Sequence, residues 1–359
     1  MLIRNKIKRK ILKINYFIKT LSNNLFFFVF NINKNKSILI GVPDYTNIGD
    51  TAIAEASRIW IQKNFNTFEY LQLQEAEYLK IKMLLKFFIT KRDILFLQGG
   101  GNMGDRYPGL DDVRREIVLS YQKNKVIFMP VTIYFSNTKF AKSELESSIA
   151  AYNSHPNLTI LTRDEQSWVF AKKHFQNAHT FNVPDIVCSM EGTDFFKENI
   201  ARNNKVLVCK RDDMERKYSI EEVLNYAKLN VTDYTYQDTE LINENNELIC
   251  KTKFNSYSEQ INDLYQILSI FASHKLVITD RYHGLVFSYI TKTPCIVIDS
   301  SDHKIKEGVK WFDDCNYIFY VGSNFGKIPE AINKIENLKV LVGSEKVKST
   351  YAELIQTIA

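Results

Sequence analysis

Residues 275–300 read "KLVITDRYHGLVFSYITKTPCIVIDS". The runs "LVIT" and "PCIVID" are short, apolar and rich in Val and Ile. Such runs read as strands buried on both faces. Between them "GLVFSYITK" reads as a helix. Strand, helix and strand within so short a segment form a βαβ unit, whose two strands lie parallel. The segment also carries Asp280, Arg281 and His283 where the first strand ends. In open parallel sheets that is where ligands bind.

The same alternation starts at Ser37. "SILIGVP" is a strand, "TAIAEASRIWIQKNF" a helix, "FEYLQLQ" a strand and "AEYLKIKMLLKFF" a helix. "DILFLQ" runs into "GGGNMGDRYPG", and strands "KVIFMPVTIYF" and "LTILT" follow with helices between them. "VPDIVCSMEGTDFFKENIARNN" breaks the pattern with Pro184 and Gly192, and reads as a crossing between domains. The alternation then restarts at "KVLVCKRDD" and ends in the helix "SEKVKSTYAELIQTIA". The expected fold class is α/β, with two Rossmann-like domains facing a cleft. The first covers 37–183 and the second 184–359, with the last helix crossing back to the first.

Composition narrows the function. The chain has 359 residues, 25% of them charged, and a formal net charge of +6. That is too mild to argue for nucleic acid, and no zinc-finger, RRM or KH pattern occurs, so no nucleic-acid partner is expected. Cys188, Cys209, Cys250, Cys295 and Cys315 are isolated and read as reduced thiols. No HExxH, no clustered ligand spacing and no GxSxG elbow occurs; neither a metal nor a cofactor is expected.

Residues 1–36 differ from the rest. They alternate Ile and Leu with Lys and Arg, then give "LFFFVF". The apolar run is far shorter than the ~20 residues a bilayer span requires. Two readings stay open: a basic amphipathic segment lying on an anionic membrane surface, or a helix packed on the body of the protein.

Three strand-end loops carry the chemistry. In "NIGDTAI", Asn47, Gly49 and Asp50 precede a helix, and Asp50 stands where an N-cap belongs. In "LQGGGNMGDRY", Gly99, Gly100 and Gly101 are entropically costly at the end of a buried strand. They let a ligand approach bare backbone, with Asn102 and Asp105 as polar contacts; the alternative is a structural turn. In "TDRYHG", Arg281 offers a bidentate grip on phosphate or carboxylate, and His283 a proton near neutral pH. Arg163 stands at another strand end. Arg211 and Asp212 repeat the type more weakly, and Asp302, His303, Lys304 and Lys306 follow the last strand of the unit. His155, His174, His179 and His274 fall in polar loops or helix ends and read as solvated.

Taken in order, "NIGDTAI", "QGGGNMGDRY", "TRDEQSW", "VPDIVCSM", "TDRYHGLVFSYITKTPCIVID" and "VKWF" resemble the polysaccharide pyruvyltransferases, over roughly residues 37 to 315. The resemblance implies a GT-B-like architecture and transfer of the enolpyruvyl unit of phosphoenolpyruvate. The acceptor would be a sugar of a bacterial surface polysaccharide or its lipid-linked precursor. A pyruvate ketal would form and phosphate leave, without metal. It also implies that Arg163, Arg281, Tyr282, His283 and Gly284 bind phosphoenolpyruvate, with Arg281 and His283 catalytic and His283 the general acid. Asn47, Asp50, Gly100, Gly101, Asn102 and Asp105 are then expected to hold the acceptor. The expected location is the bacterial cytoplasm, peripheral on the inner face of the membrane. The chain departs from the family pattern at Tyr282, where Leu is frequent, and at Val131, where Gln is. Two rivals are a GT-B-type glycosyltransferase using a nucleotide sugar and a non-catalytic, membrane-bound assembly factor.

Overall fold

Among the described residues, the computed structural model gathers the apolar runs into two sheets in which every strand pair is parallel. It describes residues 23–24, 26–45, 47–196, 200–210, 217–230, 234–236, 257–301 and 304–358. The first sheet contains β1 (Lys36–Val42), β2 (Glu69–Gln74), β3 (Ile94–Leu97), β4 (Gly100–Gly104), β5 (Lys125–Tyr134), β6 (Leu158–Thr162) and β7 (His179–Asn182). The second contains β8 (Val206–Cys209), β9 (Tyr234–Tyr236), β10 (Leu276–Thr279), β11 (Cys295–Ile298) and β12 (Ile318–Gly322). In β3, β6, β8, β10 and β11 every residue is buried. Helices cover both faces, so these strands have no polar side to alternate with.

The orders are β2-β1-β3-β5-β6-β7 and β12-β11-β10-β8-β9. In each sheet the first strand lies between the second and the third, so the connections diverge there. This leaves a crevice beyond the carboxyl ends of β1 and β3, and another beyond β8 and β10. The loops "NIGD", "GGGN" and "TDRYH" stand at those ends. The architecture is two Rossmann-like domains of GT-B-like type.

The domains share one core beneath the cleft. Helix Ile48–Asn64 turns Ala52, Ile53, Ala56 and Trp60 inward, in the same cluster as Leu264, Ile267, Phe271 and Phe287 from the other side. Tyr257 Oη donates to Glu55 Oε2 at 2.6 Å across this interface. An apolar interface of this kind opposes wide hinge opening. The last helix, Glu345–Ile358, returns toward the first sheet: Tyr351 Oη donates to Pro184 O at 2.7 Å, and Lys125 Nζ to Ile358 O.

Several expectations need correction. The glycine run is not a loop: Gly100–Gly104 is a short strand, β4, beside the second half of β5. Gly100 (φ +116°) and Gly104 (φ +122°) adopt backbone that L side chains rarely take. Asn47, not Asp50, caps helix Ile48–Asn64. Its extended backbone lets the side chain accept from Asp50 N at 3.2 Å. Asp50 thereby falls in the first turn, where the helix dipole favours a carboxylate. His155 and His274 are buried rather than solvated. His155 Nδ1 accepts from Asn157 N at 3.1 Å, and His274 Nδ1 lies 2.7 Å from Ile270 O.

Of the N-terminal segment, residues 1–22 and 25 lie outside the described residues. The rest packs in part on the body: Phe28 is buried and stacks on Phe88, with ring centres 5.4 Å apart. Lys36, the first residue of β1, is buried in an ion pair with Asp93 at 3.2 Å. Cys188, Cys209, Cys295 and Cys315 are buried free thiols; Cys250 lies outside the described residues. Among the described residues, no helix is long and apolar enough to cross a membrane.

Candidate active site

Arg163 leaves β6 directly into the cleft and is 3% exposed. Nε donates to Thr132 Oγ1 at 2.9 Å, and Nη1 to Asp185 Oδ2 at 2.6 Å. Thr132 in turn donates to Asp164 Oδ2 at 2.9 Å, which fixes its rotor. The guanidinium stacks over Tyr282, 4.6 Å from the ring centre. A β-carbon on Gly101 would stand 2.9 Å from Nη2. Glycine there lets the arginine lie against bare backbone.

Asp185 is the junction. It caps the 3-10 turn Ile186–Met190, its Oδ1 accepting from Val187 N at 3.0 Å. Its Oδ2 takes Arg163 and also lies 4.0 Å from His283 Nε2. Removing one partner of a buried pair strands the other's charge, so this carboxylate and Arg163 depend on each other.

His283 sits in the first turn of helix Tyr282–Ile290, whose N-cap is Arg281. Arg281 has extended backbone, and its N–H donates to Thr279 Oγ1 at 3.0 Å. The His283 ring reaches across the interface and covers Gly49. A β-carbon at Gly49 would sit 2.1 Å from Nδ1 and 2.7 Å from Cγ. Nε2 is buried without a hydrogen bond. Burial holds the imidazole down to about 4, with Arg163, Lys304 and Arg281 pushing the same way and Asp185 opposing. At neutral pH His283 is therefore uncharged.

Asp50 faces the same space from the first domain. Its Oδ2 accepts from Tyr45 Oη at 2.9 Å. Burial raises this carboxyl above the usual range, while Tyr45, Arg163 and Lys304 pull it back. Lys304 reaches the same group: its Nζ lies 3.9 Å from where a Gly101 β-carbon would be. Asn102 Oδ1 accepts from Arg114 Nη2 at 2.6 Å, and Arg114 also donates to Gln98 O at 3.2 Å. Helix Pro108–Ser120 thus braces the glycine-rich strand. Beside it lies a cavity of about 320 Å³ at the β1/β3 crevice, lined by Asp44, Tyr45, Glu75, Asn102 and Arg114.

Arg163, Lys304, His283, Asp50 and Gly101 therefore come together, with the Arg281 charge near enough to act on His283, and Gly100 has its ideal β-carbon 3.4 Å from Asp50 Oδ1. Others serve the frame. Tyr282 is a buried platform under Arg163. Gly284 faces the sheet, its ideal β-carbon 2.2 Å from Thr279 Oγ1. Asp105 is engaged by Ser136, whose N–H donates to Oδ1 at 2.9 Å. Val131 is buried in β5. Arg211, Asp212, Asp302 and His303 lie outside the described residues.

Gly49→Ala tests the contact across the interface. Alanine gains about 1 kcal/mol of helix propensity over glycine. The clash with His283 outweighs this, because the ring must move by an ångström or more. Displacement on that scale costs roughly a hundredfold in rate. Turnover should fall by about that factor, and the melting temperature of the purified variant should not rise.

A sequence profile of the polysaccharide pyruvyl transferases matches residues 47–303. The chain belongs to that family. The match begins at the N-cap Asn47 and spans Gly49, Gly101, Arg163, Asp185, Arg281 and His283. General stress protein 30 of Bacillus subtilis is 31% identical over 81% of this chain and 82% of its own length. Pyruvyl transferase 1 of Schizosaccharomyces pombe is 29% identical over 79% of this chain and 71% of its own. A crystal structure of an uncharacterised Klebsiella pneumoniae protein superposes with a TM-score of 0.53 at 15% identity. It covers 86% of this chain and 98% of that one, a likeness of fold. As a family member the protein is a transferase acting on a polysaccharide sugar.

Proposed function

We propose that the donor is phosphoenolpyruvate and the product a pyruvate ketal on a sugar of a bacterial surface polysaccharide or its lipid-linked precursor. The observation that carries this reading is the approach of Arg163 and Lys304 to Gly101 beside one uncharged histidine, on which the Arg281 charge also acts. A small ligand with a phosphate and a carboxylate suits three cations and a helix N-terminus. Its charge would also return His283's proton, since an anion nearby favours the imidazolium.

His283 then protonates the methylene carbon and leaves an oxocarbenium-like centre. One acceptor hydroxyl attacks that carbon. A second hydroxyl displaces phosphate and closes the ketal. Of the two hydroxyl protons, one replaces the proton His283 delivered to carbon and the other leaves with phosphate. Asp50, Asn102 and the cavity beside them would seat the acceptor. A lipid-linked acceptor places the reaction at the inner face of the membrane, which the basic composition of residues 1–36 suits.

Mass spectrometry of lipid-linked oligosaccharides incubated with enzyme and phosphoenolpyruvate should show a pyruvyl increment matched by phosphate release. An increment obtained only with a nucleotide sugar would support the glycosyltransferase reading instead.

A further inference from the structure

Helix Glu75–Phe88 has two apolar faces. Tyr78, Ile81 and Leu85 are buried in the first domain. Leu79, Met83 and Phe87 recur every fourth residue and are 42%, 66% and 83% exposed. That spacing aligns them in one stripe along the helix. The Phe28–Phe88 stack brings residues 26–30 to the end of this helix, and Phe26, Val29 and Phe30 are exposed there. A contiguous exposed apolar patch marks a protein or membrane contact.

Charge decides between those occupants. Residues 78–92 hold five basic side chains and no acidic one; residues 1–36 hold nine and none. With a net charge of +6 over the whole chain, the remainder is net acidic. Lys80, Lys86, Lys91 and Arg92 are exposed around the stripe. Cores of protein interfaces are depleted of lysine. Apolar residues flanked by Lys and Arg suit the boundary between anionic headgroups and acyl chains. Leu79 has a second role, because it also lines the cavity beside Asn102.

We propose that helix Glu75–Phe88, together with residues 26–30, is a docking face for an anionic bilayer. Docking there sets the rim of the cavity at the membrane surface. The inference deepens the membrane side of the proposed function and rests on it only for the nature of the acceptor.

The test is flotation of the purified full chain with phosphatidylglycerol-containing vesicles and with pure phosphatidylcholine vesicles. No substrate is present, so the result does not depend on pyruvyl transfer. The wild type should float with the anionic vesicles alone. The double variant Met83→Glu, Phe87→Glu should bind them at least about tenfold more weakly, with an unchanged melting temperature because both side chains are exposed. The proposal is overturned if the double variant floats like the wild type, which would leave docking to another segment such as residues 1–22. It is also overturned if the wild type stays unbound. A wild-type dimer in light scattering that the variant dissociates would assign the face to a second copy of the chain.

Discussion

His283→Gln should lower phosphate release from phosphoenolpyruvate, with acceptor present, by about a hundred- to ten-thousand-fold, the range a positioned general acid contributes. Glutamine keeps polarity and comparable bulk against Gly49 but carries no transferable proton. The same variant should change two proton balances. Free, this imidazole would titrate at 6.5; buried in the fold it is held near 4. Between those values the unfolded chain binds a proton that the folded chain does not. Native stability therefore falls as pH drops through 6.5, and the loss is complete near 4. At 1.36 kcal/mol per unit this amounts to about 3 kcal/mol. The glutamine variant lacks that loss, so its urea midpoint should decline less than the wild type's between pH 7 and 4.5. On binding phosphoenolpyruvate the wild type should take up close to one proton more than the variant. Calorimetry in two buffers of different ionisation enthalpy measures this. Equal uptake by both proteins would remove His283 from the acid's role.

Asp185→Asn should show the second large effect. It leaves the Arg163 charge buried with Thr132 and Tyr282 but without its hydrogen-bonded carboxylate. Breaking a buried pair in this way costs roughly 3–5 kcal/mol. A bound anion can replace the missing carboxylate's charge. Phosphoenolpyruvate should therefore raise the melting temperature of the variant more than that of the wild type. The site becomes more positive, so KM should stay level or fall, while kcat drops because Arg163 and His283 lose their shared reference point. A kcat that stays near the wild-type value would show that Asp185 supports the fold and nothing more.

The parallel sheets were legible because burial on both faces demands runs such as "ILFL" and "CIVI", and that pattern is local. The strand ends bearing Arg163, Arg281 and His283 were legible for the same reason. The glycine run was less so. Its composition signals close approach, but the partners are β5 and Arg163, which lie elsewhere in the chain. Asp185 stood in plain view inside "VPDIV", yet an aspartate after proline also suits any turn. Arg114 gave no signal, because an arginine in a helix normally reads as solvated.

Local pattern was enough to set the fold class, most of the strands and the strand ends that could carry anion-binding groups, but not β4 or β12. It could not decide that the ring of His283 rests on Gly49, or that one carboxylate serves both Arg163 and His283. Nor could it decide that burial keeps the histidine uncharged at neutral pH. Those outcomes depend on distance and burial among groups far apart in the chain, and an imidazole's affinity for a proton follows the charges and solvent around it in space.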